Sequence, residues 1–115
     1  MRLTMATKQE VLESLDGVRK RLEDPQIKQK FTAFKRDLQF NFNDIATTYV
    51  LSIAEDLTAT LKEGSVEKPH VSIETDSNTF LGIRNKTVSA TQAYMSGKIK
   101  VKGTMPDLLK LQKLL

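Results

Sequence analysis

A chain of 115 residues, 39% hydrophobic and 28% charged, is sized and composed for one globular domain, residues 1–115, and not comfortably for two. It has no cysteine, which excludes disulfides, thiol nucleophiles and cysteine-ligated metals. No apolar run approaches the ~18 residues needed to cross a bilayer, and the N-terminus lacks a signal-peptide core, so the expected location is cytoplasmic. The net charge of +4 is uneven, with six lysines from Lys86 onward against Asp107 alone. Such a concentration suits nucleic acid or an anionic membrane surface, but a solvated strand face is the plainer reading. No aromatic residue interleaves with those lysines, so a base-stacking surface, and nucleic acid as a partner, are not expected.

In chain order, Thr7 to Glu10 spells a capping box, and Val11, Leu15, Val18 and Leu22 recur at helical spacing. An amphipathic helix is predicted from Lys8 to about Glu23. Asp24-Pro25 starts a second short helix through Ile27 and Phe31, with Phe31 and Phe34 read as core. From Arg36 the period becomes twofold. Leu38, Phe40 and Phe42 alternate with polar residues, Asn43-Asp44 turns the chain, and Tyr49, Leu51 and Ile53 continue the pattern. After Glu55-Asp56, a third strand is predicted through Leu57, Ala59 and Leu61, completing an antiparallel meander with one apolar face.

Lys62 to His70 reads as a connecting loop, and Val71, Ile73 and Thr75 as a fourth strand. Asp76 caps a helix holding Phe80, Leu81 and Ile83, which Asn85 closes. Ser89 caps a short helix through Ala93, Tyr94 and Met95, ended at Gly97. Lys98 to Lys102 is a half-buried strand, Ile99 and Val101 inward and the lysines outward. Pro106 opens a final helix in which Met105, Leu108, Leu109, Leu111 and Leu115 share an apolar arc that also includes Gln112. The order of elements defines an α+β fold: a mainly antiparallel five-stranded sheet with helices covering one face.

No catalytic constellation emerges. The lone His70 has neither a second histidine nor a cysteine to complete a metal site, and no nucleophile elbow or phosphate-cradling loop is present. The residues read as a non-enzyme, with no metal and no cofactor.

The run from Gln92 to Gly103, QAYMSGKIKVKG, followed by Met105 and by Leu109 to Leu114, LKLQKL, resembles the C-terminal signature of sterol carrier protein type-two domains. The order of elements agrees with that family from about Lys8. The resemblance implies an apolar tunnel between sheet and helices, occupied by fatty acid, fatty acyl-CoA, isoprenoid or sterol-like lipid. Carried over by position, its walls would be Phe80, Leu81, Ile83, Tyr94, Met95, Met105, Leu108, Leu109 and Gln112. A carrier is the first reading; an accessory lipid-binding module of an enzyme assembly, with a partner enzyme, is the second. Pro106 departs from the family's usual glycine. The ending Lys113-Leu114-Leu115 does not match a Ser-Lys-Leu-type peroxisomal address, which favours a stand-alone prokaryotic member. The basic margins of the last helix suggest transient contact with an anionic membrane, and its place at the chain end suggests a lid.

Overall fold

The structure, a computed structural model, describes residues 7–31 and 34–115. The capping box opens α1 (Lys8–Arg21): the Thr7 hydroxyl accepts from the Glu10 N–H, and the Glu10 carboxylate accepts from the Thr7 N–H. Its stripe of Val11, Leu15 and Val18, with Leu22 at the C-cap, is fully buried. In α2 (Pro25–Lys30) the Asp24 carboxylate accepts from the Gln26 N–H, leaving no orphan donor where Pro25 has none to offer. Phe31 and Phe34 behind it are buried edge-to-face, their centroids 5.5 Å apart.

The strands are β1 (Arg36–Phe42), β2 (Thr47–Ile53), β3 (Ala59–Glu63), β4 (Val71–Thr75) and β5 (Ile99–Lys102), in the spatial order β3-β2-β1-β4-β5. The first three form the antiparallel meander, and β5 runs antiparallel to β4. However, β4 lies parallel to β1, with Phe40 opposite Ile73, so the sheet is mixed. Alternation reports which face a side chain takes, but neither the neighbour of a strand nor its direction.

β3 runs on through Lys62 and Glu63, so the connection is Gly64 to His70, and it carries the chain from the edge at β3 across to β4. On the way the Val66 N–H donates to Gln39 Oε1 at 3.0 Å, and Val50, paired with Gln39 across the β1–β2 register, is fully buried. This loop thus shields part of the sheet face opposite the helices. The turn between β1 and β2 is a short 3-10 turn over Asn43–Ile45, closed by Ala46 at φ 49°. Leu57, expected as a strand residue, stands instead in the β2–β3 turn at φ 68°, its N–H donating to the Ala54 carbonyl. Its side chain is buried, so in the sequence it imitates an inward strand position.

The remaining helices are α3 (Ser77–Arg84), α4 (Ala90–Met95) and α5 (Met105–Leu114). Phe80 of α3 sets its ring edgewise against Phe40 and Phe42, at 5.8 and 5.3 Å, and Leu111 and Leu114 of α5 join the same core.

Candidate ligand-binding cleft

At its β4–β5 end the sheet runs out beneath α3, α4 and α5, and the three helices stand off it. The space between them is a cleft of about 770 Å3, open to solvent on one side. Local sequence sets each wall. Asp76 caps α3 by accepting from the Thr79 N–H, while Ser77 at its first turn is bonded through its N–H and its hydroxyl to the Asp44 carboxylate. The helix is thereby fastened to the β1–β2 turn, and its buried residues Phe80 and Ile83 form the back of the cleft.

The C-terminus of α3 closes in a Schellman turn. The Lys86 N–H donates to the Ile83 carbonyl at 3.2 Å and the Thr87 N–H to the Gly82 carbonyl at 2.8 Å. The Val88 N–H and the Thr87 hydroxyl reach the same carbonyl, at 3.1 and 3.2 Å. Any Cβ at position 82 would collide with the Val88 side chain, so glycine lets the 85–88 loop lie flat on α3. The next helix, α4, starts where the Ser89 hydroxyl accepts from the Gln92 N–H, and it ends at Gly97, whose φ of 81° suits a residue without Cβ. The floor of the cleft is the inward side of the sheet end, Ile73 and Thr75 of β4 with Ile99 and Val101 of β5.

The last helix, α5, has two faces. Asp107, Leu111 and Leu114 point into the protein; the Asp107 carboxylate accepts from Arg36 Nε at 2.9 Å, with only 8% of its side chain exposed. Arg21 donates to the Lys113 carbonyl at 3.0 Å, and Lys110 lies over the Phe34 ring. The other face presents Met105, Leu108, Leu109 and Gln112 to the cleft, which Leu111 and Leu115 also line. The inward contacts tie α5 to the protein at a few points, through Asp107, Lys110, Leu111, Lys113 and Leu114.

Seven of the nine residues expected as walls line the cleft: Phe80, Ile83, Tyr94, Met105, Leu108, Leu109 and Gln112. Leu81 and Met95 do not. Each directly follows a lining residue on its helix but faces elsewhere. Leu81 consequently packs against the core as a half-buried residue, and Met95 is 79% exposed. Sequence reading passed over the strand floor, although the alternation had already pointed Ile99 and Val101 inward. It also passed over the 86–92 segment, whose mixed polar residues carry no period.

The electrostatics are one-sided. Among the described lining residues Lys86 is the single charged side chain, with no Asp or Glu beside it, and Leu115 brings its main-chain oxygen to the same end. Beside it Arg84, half-buried, donates to Ser14 Oγ and to the Leu115 main-chain oxygen, and its burial, with Arg21 nearby as the lesser cause, pulls its guanidinium below the ordinary arginine value. His70 stands away from the cleft, its Nδ1 accepting from the Asp37 N–H at 3.0 Å, which ties the start of β4 to β1. Among the described residues there is no cluster of His, Cys, Asp or Glu able to hold a metal, and no helix long and apolar enough to cross a membrane.

Fold and cleft together define a small α+β protein with an apolar chamber between the end of its sheet and three helices. Residues 15–115 match the SCP-2 sterol transfer family, and the chain belongs to that family. No curated protein sequence matches it. Among solved structures it is similar to sterol carrier protein domain 2 of Helicoverpa armigera, with a TM-score of 0.76 at 17% identity over 97% of this chain and 91% of that one. The ubiquinone synthesis protein UbiJ-SCP2 gives a TM-score of 0.68 at 14% identity, over 96% and 93%. A double mutant of the sec-alkyl sulfatase PisA1, an enzyme from Pseudomonas sp., gives 0.76 at 22% identity over 96% of this chain. The chain spans only 16% of that sulfatase's length. At these identities the likeness concerns the fold.

Proposed function

We propose that the protein binds one long-chain lipid (a fatty acid, fatty acyl-CoA, isoprenoid or sterol-like molecule) in the cleft, and carries or sequesters it without catalysing a reaction. The observation that carries this reading is the cleft itself. Its volume of about 770 Å3 falls in the range of small-molecule sites, and apolar side chains from β4, β5, α3 and α5 converge on it. Membership of a sterol transfer family supports a lipid as cargo. Tyr94, Met105 and Leu109, each more than half exposed, make part of its rim apolar, which suits passage of a lipid from a membrane surface during transient contact. The setting proposed, on the sequence reading alone, is the cytoplasm.

Native mass spectrometry of the freshly purified protein, before and after delipidation, tests the proposal. A lipid-sized mass increment lost on delipidation, and restored by adding fatty acid or isoprenoid, is expected. If no increment appears and no lipid binds at micromolar concentration, the reading is wrong.

A second reading has its own support. The chain resembles a ubiquinone synthesis protein and a fraction of a much longer sulfatase, so the same cleft could serve as an accessory lipid-holding module for a partner enzyme. Recovery of a stoichiometric enzyme partner by affinity purification at native expression levels would favour this reading over the free carrier.

A further inference from the structure

The polar groups of the cleft are grouped rather than scattered. Apart from Thr75, Gln112 and the hydroxyl of Tyr94, every polar lining group comes from the 86–92 segment: Lys86, Thr87, Ser89, Thr91 and Gln92. One rim of the chamber is therefore polar and cationic, while the floor and the α5 wall are apolar.

Lys86 itself occupies an unusual position. It is the residue after the α3 C-cap, in the left-handed conformation at φ 66°, where a Schellman turn ordinarily has glycine. A lysine there is strained, and its side chain is exposed, so core packing does not compensate. Its Nζ lies 3.4 Å from the Leu115 main-chain oxygen, at the α5 end of the cleft, a long contact that uses one of three donors. That oxygen also accepts from Arg84 at 3.2 Å, so two cations share one acceptor, and no Asp or Glu side chain among the described lining residues adds a counter-charge.

Resting on the lipid-binding reading above, we propose that Lys86 receives an anionic head group, carboxylate or phosphate, and so fixes both the class of the lipid and its direction, head at the 86–92 rim and tail over β5 and α5. A charge-assisted hydrogen bond at this rim corresponds to about a tenfold preference over a neutral head.

The test uses three probes with the same tail on the delipidated full chain: hexadecanoate, hexadecyl phosphate and hexadecanol, measured by calorimetry at low salt. The wild type is expected to bind one or both anions about tenfold more tightly than the alcohol. If only one anion is preferred, that head group is the one assigned. Lys86→Asn and Lys86→Gly should bring the anions to the level of the alcohol and leave the alcohol unchanged, while Lys86→Arg keeps the preference. Asparagine and glycine both tolerate the left-handed conformation, so the two neutral variants should melt no lower than the wild type, and their loss of preference could not be ascribed to unfolding. Equal wild-type affinity for all three probes would overturn the proposal, as would an anion preference that survives in both neutral variants or an equal loss of alcohol binding. Failure of all three probes to bind would remove the lipid-binding reading and this one with it.

Discussion

Asp107 shows what a single side chain contributes to the architecture around the cleft. It occupies the first turn of α5, where a negative charge meets the positive end of the helix, and its carboxylate is paired with Arg36 Nε on β1. The acid is nearly buried while the arginine is one-third exposed, at 8% and 33%. Removing the acid leaves Arg36 with the Lys35 carbonyl and the face of Phe34 as its remaining partners. For a fully buried pair such a loss reaches about 3–5 kcal/mol, and for a surface pair about 0–1. The partial exposure of Arg36 places Asp107→Ala between these, at about 2 kcal/mol. Urea unfolding of the variant checks this figure, and a change below about 0.5 kcal/mol would show the pair to be a surface contact only.

At the scale of the element, α5 decides between lid and wall. Its inward side chains Leu111 and Leu114 are 4% and 0% exposed. Burying a leucine is worth about 1.5–3 kcal/mol, so these two together supply about 3–6 kcal/mol, before the Asp107 pair is added. Total stability for a domain of this size is about 5–15 kcal/mol. Detaching the helix therefore removes a large share of what holds the protein folded. Deletion of residues 107–115 is expected to abolish the cooperative thermal transition rather than leave a folded sheet without ligand. A truncated protein that keeps a sharp transition and native-like amide dispersion would support the lid. The apolar arc seen in the sequence was real, but an arc of that breadth can serve two surfaces at once. Met105, Leu108 and Leu109 turn to the cleft and Leu114 to the core, while Leu111 belongs to both, a division set by which neighbours stand on either side of the helix.

Across the whole molecule, what could be read in advance was what local chemistry determines. The capping residues Thr7, Asp76 and Ser89 mark their helices, and the alternation of Leu38, Phe40 and Phe42 marks a strand. The parallel pairing of β4 with β1 lay beyond reach because it depends on a crossover between segments far apart in the chain. Leu57 misled because a buried leucine in a turn looks like one in a strand. For the cleft, the apolar helix positions were legible, whereas Leu81 and Met95 were assigned by proximity in sequence and face elsewhere. Lys86 was invisible as a cleft residue because nothing in its neighbours announces a left-handed turn at a lysine. The account rests centrally on the cleft being where lipid sits. Methyl-labelled NMR of the delipidated protein, titrated with hexadecanoate, tests that most directly. Saturable shifts should concentrate on Ile73, Ile83, Val88, Val101, Leu108 and Leu109, while Val50 under the crossover loop and Leu61 on β3 stay unmoved. Saturable shifts centred on Val50 or Leu61 with the cleft methyls silent, or no saturable shifts at all, would contradict it.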